Sequence, residues 1–141
     1  MMHGAGIDAE LSENIKRDLW DKFLSSNAFT GVCALTRSPL GAVMEDPDTR
    51  RLVIDCIREA EAVARALGIE LVEDVVAQKT ALIDDIPAPM KPSMLVDLEL
   101  GRKLELEALQ GTVVRLSREL GLETPVNHFI YAALKLHAGG T

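Results

Sequence analysis

A chain of 141 residues is long enough for one domain, and 48 % hydrophobic residues against 4 % aromatic ones imply an aliphatic core. The formal charge is −7 and no Lys/Arg run exceeds two residues, which excludes the basic stripe that displaces counterions from nucleic acid. No apolar run reaches the ~18 residues that span a bilayer, and MMHGAGIDAE lacks both the basic and the apolar part of a secretory signal. Cys33 and Cys56 both fall in apolar helical patterns, as free thiols of a cytoplasmic protein do.

Every segment between Gly and Pro punctuation reads as helix, and none shows sustained period-two alternation. Ser12 can cap a first helix to about Asn27, with a second helical stretch ending near Thr36. Asp46-Pro47 is a cap followed by proline at the first helical position, and Gly68 closes that helix. Within it Leu52, Cys56, Ala60, Val63 and Leu67 recur at helical spacing as a buried stripe. A helix is expected over residues 72–85, stopped before Pro87. IPAPMKP, with three prolines, is a stiff connector. Ser93 opens a helix to about Leu100, and another is expected from Leu104 to Leu120, ended by Gly121. Thr124-Pro125 starts the last one. The fold class is all-α.

The first helix holds an anomaly. Ile15, Leu19 and Phe23 define its apolar face, and Lys22 lies about 20° from Ile15 around the axis. Ser26 and Thr30 continue the same line. A lysine in such a stripe snorkels, pairs with a carboxylate, or faces a cleft. Glu105 sits at the edge of the stripe Leu106, Leu109, Val113, Leu116, Leu120, where a first-turn carboxylate is favoured by the helix dipole alone. Ser93, after a proline, fits an N-cap. Asp97 can pair with Lys91 or Arg102, and Gly111 inside a helix points to close helix packing.

Two patterns are rejected. Gly4-Ala5-Gly6-Ile7-Asp8-Ala9 fits the G-x-G-x-x-A dinucleotide pattern formally, but that motif needs a preceding strand and only three residues precede it. His3, His128 and His137 do not cluster with cysteines or carboxylates at metal-ligand spacing, so no metal site is expected.

The ordered segments LWDKF at 19–23, ALTRSPLG at 34–41, REAEAVARALGI at 58–69 and Pro-Ser-Met-Leu-Val-Asp at 92–97 belong together. They continue with Gly101-Arg102-Lys103-Leu104-Glu105, Gly111-Thr112-Val113-Val114 and Gly121-Leu122-Glu123-Thr124-Pro125-Val126-Asn127. This set, from about Gly6 to Leu136, resembles the C-terminal domain of ketopantoate reductases (2-dehydropantoate 2-reductases). The resemblance implies a multi-helix domain of the 6-phosphogluconate dehydrogenase C-terminal-like type over residues 1–141, with the N-terminal Rossmann half absent. It also implies NADPH-dependent reduction of a small 2-oxo acid, in pantothenate biosynthesis.

By the same resemblance Lys22 matches the helical lysine that protonates the keto oxygen. Glu105, twelve residues on from Ser93, matches the glutamate that contacts that oxygen and the substrate hydroxyl, and Ser93 matches the serine that holds substrate. The pantoate-forming enzymes carry asparagines one and two turns after the lysine. Ser26 and Thr30 stand there instead, with Asn27 one residue out of register, which leaves another small or branched 2-oxo acid as an alternative substrate. NADPH is expected with the intact family enzyme and not with this chain alone. A homodimer built from helix faces is expected, without nucleic-acid or membrane partners. The alternatives are a non-catalytic helical dimerisation or interaction module and a small-molecule-binding regulator.

Overall fold

The structure is a computed structural model that describes the backbone of residues 4–141 and the side chains of residues 15–141. Seven helices occur among the described residues: α1 Gly4–Thr36, α2 Leu40–Glu45, α3 Pro47–Ala66, α4 Val75–Asp84, α5 Ser93–Glu99, α6 Gln110–Leu120 and α7 Pro125–Lys135. No strand occurs among the described residues, so the all-α expectation holds. Among the described residues no helix is long and apolar enough to cross a membrane.

α1 is one helix of 33 residues, starting before Ser12 and passing Asn27 without a break. Residues 4–9, the glycine-rich pattern, form its first turns rather than a strand-borne loop. His3 lies outside the described residues. From Leu24 onward α1 is apolar on most sides, and Leu24, Ala28, Val32, Cys33 and Ala34 are fully buried. A helix apolar all round belongs inside a core, and α1 packs on α2, α3, α4, α5 and α7. Its earlier turns differ: Ile15 is 57 % and Leu19 63 % exposed. The apolar line before Lys22 therefore faces out of the molecule, and it turns inward from Phe23 to Thr30.

α3 follows its sequence signals closely. Asp46 accepts from Asp48 N at 2.8 Å and Thr49 N at 3.0 Å, Pro47 follows it, and the helix ends at Ala66 before Gly68. The stripe has shifted slightly: Cys56, Ala60 and Val63 are buried, but Leu52 is only half-buried and Leu67 is exposed, while Val53 and Ile57 join the core. α4 starts at Val75, with Val72 exposed before it.

The stretch before α6 departs most from expectation. Residues 102–109 are irregular chain and turns, and the helix begins only at Gln110. Leu104 and Leu106 are both buried. In a helix two such residues stand about 200° apart and cannot both enter one core, whereas extended chain puts them on one side. Leu104 N also donates to Ala138 O at 2.9 Å, pinning this segment to the C-terminal end. Gly111 does not mark close helix packing. A Cβ there would meet the Glu107 and Arg115 side-chain ends and Leu106 O. Gly121, at φ 72°, ends α6 in the left-handed region that suits glycine.

Candidate functional site

The turn of α1 from Leu19 to Phe23 forms one wall. Trp20 and Phe23 meet edge to face with centroids 5.3 Å apart. With Leu19, Ala108 and Thr112 they line a mostly apolar cavity of about 330 Å³. A second cavity of about 430 Å³ is lined by Lys103, Leu104, Glu105, Glu107 and Ala108. The two share Ala108, so the carboxylate-bearing segment adjoins the lysine-bearing turn.

Glu105 is exposed between buried Leu104 and Leu106. Extended chain anchored by both neighbours presents the residue between them outward. It is not a first-turn helical carboxylate. Lys22 is exposed on α1, and among the described residues no side-chain hydrogen bond or ion pair holds its ammonium. Of the three fates open to it, pairing is not what is seen. The lysine lines neither cavity. Ser26 is half-buried and turns its hydroxyl back toward Phe23 O at 3.5 Å, while Thr30 is 8 % exposed. Ser93 is exposed as the first residue of α5. Pro92 takes the cap position, so the hydroxyl does not serve as the N-cap. Asp97 lies 3.9 Å from Arg102, and Lys91 pairs with Glu99 instead.

Sequence reasoning missed three groups near these residues. The aromatic wall of Trp20 and Phe23 is one. The second is Lys79 on α4, buried and paired with Asp21 beside Lys22. The third is a buried polar knot of Asn27, Cys56, Gln110 and Asn127, closed by Glu59. Asn27, out of register with the outward line, was its signal: an amide 100° round the helix belongs to the inward face. Both thiols are free. Burial pushes the Cys33 thiol up to about 12, and burial with the nearby Glu59 charge pushes Cys56 higher still. Neither is poised as a nucleophile.

No cluster of His, Cys, Asp or Glu among the described residues could hold a metal ion. The pyrophosphate of a dinucleotide is cradled where a strand turns through glycines into a helix. The described residues contain no strand and their one glycine-rich pattern lies within α1, so they do not fit that group.

The helical arrangement is that of a reductase C-terminal half. The chain belongs to the family described as ketopantoate reductase PanE/ApbA C terminal, whose model matches residues 14–138. The 2-dehydropantoate 2-reductase of Mesorhizobium japonicum is 32 % identical over 131 residues, which is 93 % of this chain and 40 % of that protein. The Mycobacterium tuberculosis 2-dehydropantoate 2-reductase is 32 % identical over 143 residues, covering 99 % of this chain and 47 % of that one. The dimeric ketopantoate reductase of Staphylococcus aureus superposes with a TM-score of 0.83 at 30 % identity, over 88 % of this chain and 43 % of that chain. D-mandelate dehydrogenase shares the fold, with a TM-score of 0.79 at 22 % identity. The chain thus spans less than half the length of these curated relatives.

Proposed function

We propose that this chain is the substrate-side domain of a cytoplasmic, NADPH-dependent 2-oxo acid reductase of pantothenate biosynthesis, with the dinucleotide held by residues outside those described. The observation that carries the reading is the adjoining of the Glu105 cavity and the Leu19–Phe23 turn at Ala108, in a chain of this family. Lys22 is the general acid: its ammonium donates to the keto oxygen and passes a proton to the alkoxide as charge develops there. Glu105 accepts from the substrate hydroxyl, and Ser93 and Ser26 offer hydroxyls to the substrate. Thr30, nearly buried, contacts substrate only if the acid reaches deep along α1. The apolar wall of Trp20 and Phe23 excludes water and suits a branched aliphatic chain better than a charged one. With Ser26 and Thr30 on this line, a small or branched 2-oxo acid other than ketopantoate is the second candidate substrate.

Lys22→Ala, in the reductase of which this chain forms part, tests the assignment. Turnover is expected to fall about 10²–10⁴-fold, the usual contribution of a positioned general acid. Turnover within about threefold of the parent, below that range, sinks the catalytic role of Lys22.

A further inference from the structure

The polar knot behind the candidate site has only one consistent arrangement of its amides. Glu59 accepts from Val126 N, Asn127 N and Asn127 Nδ2, each at 2.9 Å. A carboxylate has no proton to give, so Asn127 must turn its nitrogen outward to it and its oxygen inward. That oxygen accepts from Asn27 Nδ2 at 2.8 Å and from Cys56 Sγ at 3.2 Å. Asn27 is thereby fixed in turn. Gln110 Nε2 then donates to the main-chain oxygen of Asn27 at 2.7 Å, and a flipped Gln110 would set two oxygens against each other.

This last bond joins two particular places. Asn27 lies five residues after Lys22, about 7.5 Å further along α1. Gln110 is the first residue of α6 and ends the segment that carries Glu105. The other end of that segment is held by Leu104 N on Ala138 O at 2.9 Å. α1 makes room for the contact at Gly31, where a Cβ would stand 2.3 Å from Gln110 Nε2 and 2.9 Å from its Cδ. Gln110 and Asn27 are both fully buried, and Gln110 Oε1 and Asn27 Oδ1 have no protein partner. Packing alone would be served better by apolar side chains, because buried amides with unused acceptors oppose folding. A single directed bond between two segments is what the amides add.

We infer that Gln110 is a positioning residue: its bond to the Asn27 carbonyl sets the spacing between the Lys22 turn of α1 and the Glu105 segment. The inference rests on the site reading above for its functional meaning, but the spacing itself is measurable without any reaction. Cys33 and Cys56 are buried, so nitroxides on Lys22→Cys and Glu105→Cys label only the new thiols. Pulsed electron resonance then reads the distance distribution between the two segments. Gln110→Ala is expected to broaden it. Because Gln110→Ala on its own could loosen the whole junction, Gly31→Ala with Gln110→Ala is the controlling variant. There the new methyl fills part of the space that the amide leaves, so stability should recover relative to Gln110→Ala while the distance distribution stays broad. In the unlabelled chain, binding of 2-oxoisovalerate, followed by shifts of the 19–23 and 103–107 amides, should weaken about tenfold or more in the double variant, as loosened site geometry does. A double variant that regains the parent's narrow distribution overturns the proposal, because packing and not the bond would then set the spacing. A narrow, Gln110-dependent distribution in a parent chain that shows no 2-oxoisovalerate shifts at all overturns the site reading instead, and the catalytic meaning of the spacing with it.

Discussion

Glu59 takes three donors at the start of α7, two from the main chain and one from the Asn127 side chain. Two orphan N–H groups of a helix N-terminus and a buried amide thus end on one charge, where the helix dipole also favours it. Glu59→Ala leaves all three without their partner. The expected loss is about 2–3 kcal/mol, in the range for hydrogen bonds to charged groups at a part-buried site. Urea unfolding followed by circular dichroism measures it, and a loss under about 0.5 kcal/mol would show that water replaces the carboxylate freely. Nothing in the sequence marks Glu59, since a glutamate half-way along an amphipathic helix is ordinary. Its role depends on a partner 67 residues away. Lys22 is the opposite case: a charge interrupting an apolar line is visible from periodicity alone, although the reason that line is apolar is not.

At the level of elements, α3 and α4 are tied by Arg50, whose two amino groups reach the Asp84 carboxylate at 2.7 and 2.8 Å. The guanidinium holds the Asp84 carboxyl below its ordinary value through these bonds. A group whose pKa is lowered by folding adds stability above its unfolded value and loses it as pH falls through the folded one. Asp84→Asn should therefore destabilise the protein at pH 7 and make no difference once the carboxyl is protonated in both states. Both side chains are more than a third exposed, 35 % and 41 %, so solvent screening holds the effect to about 1 kcal/mol or less. Thermal melts of parent and variant at pH 7 and at successively lower pH decide it: the gap should shrink as pH falls, and a gap that does not shrink would mean that the pair contributes through packing. α3 itself was legible because its cap, proline and terminal glycine are local signals. The start of α6 was not: Leu104-Glu105-Leu106 alternates, but a run so short is indistinguishable from the edge of the helical stripe that follows it. The decision is made by the Ala138 carbonyl, a contact no local pattern encodes.

The outward faces left by the helices bear on the whole molecule. Ile15 and Leu19 on α1, Phe129 on α7 and Leu136 just after it are 57–87 % exposed, and apolar residues grouped on a surface favour association. We expect a homodimer through helix faces, and light scattering that reports the chain mass at high concentration would exclude it. The dinucleotide provides the sharper test. A nucleotide pyrophosphate is bound mainly by main-chain N–H groups at a glycine turn, which a strand aims at a helix N-terminus. The described residues supply helices without such a strand. The start of α7, whose N–H groups would otherwise be free, is already occupied by Glu59. The acidic balance of −7 adds no attraction for a polyanion. Calorimetric titration of NADPH into this polypeptide should therefore give no micromolar binding, whereas 2-oxoisovalerate should still shift amides in the 19–23 and 103–107 segments. Micromolar NADPH binding to these residues alone would mean that a helical domain holds the dinucleotide by itself, and the division of labour proposed here would have to be abandoned.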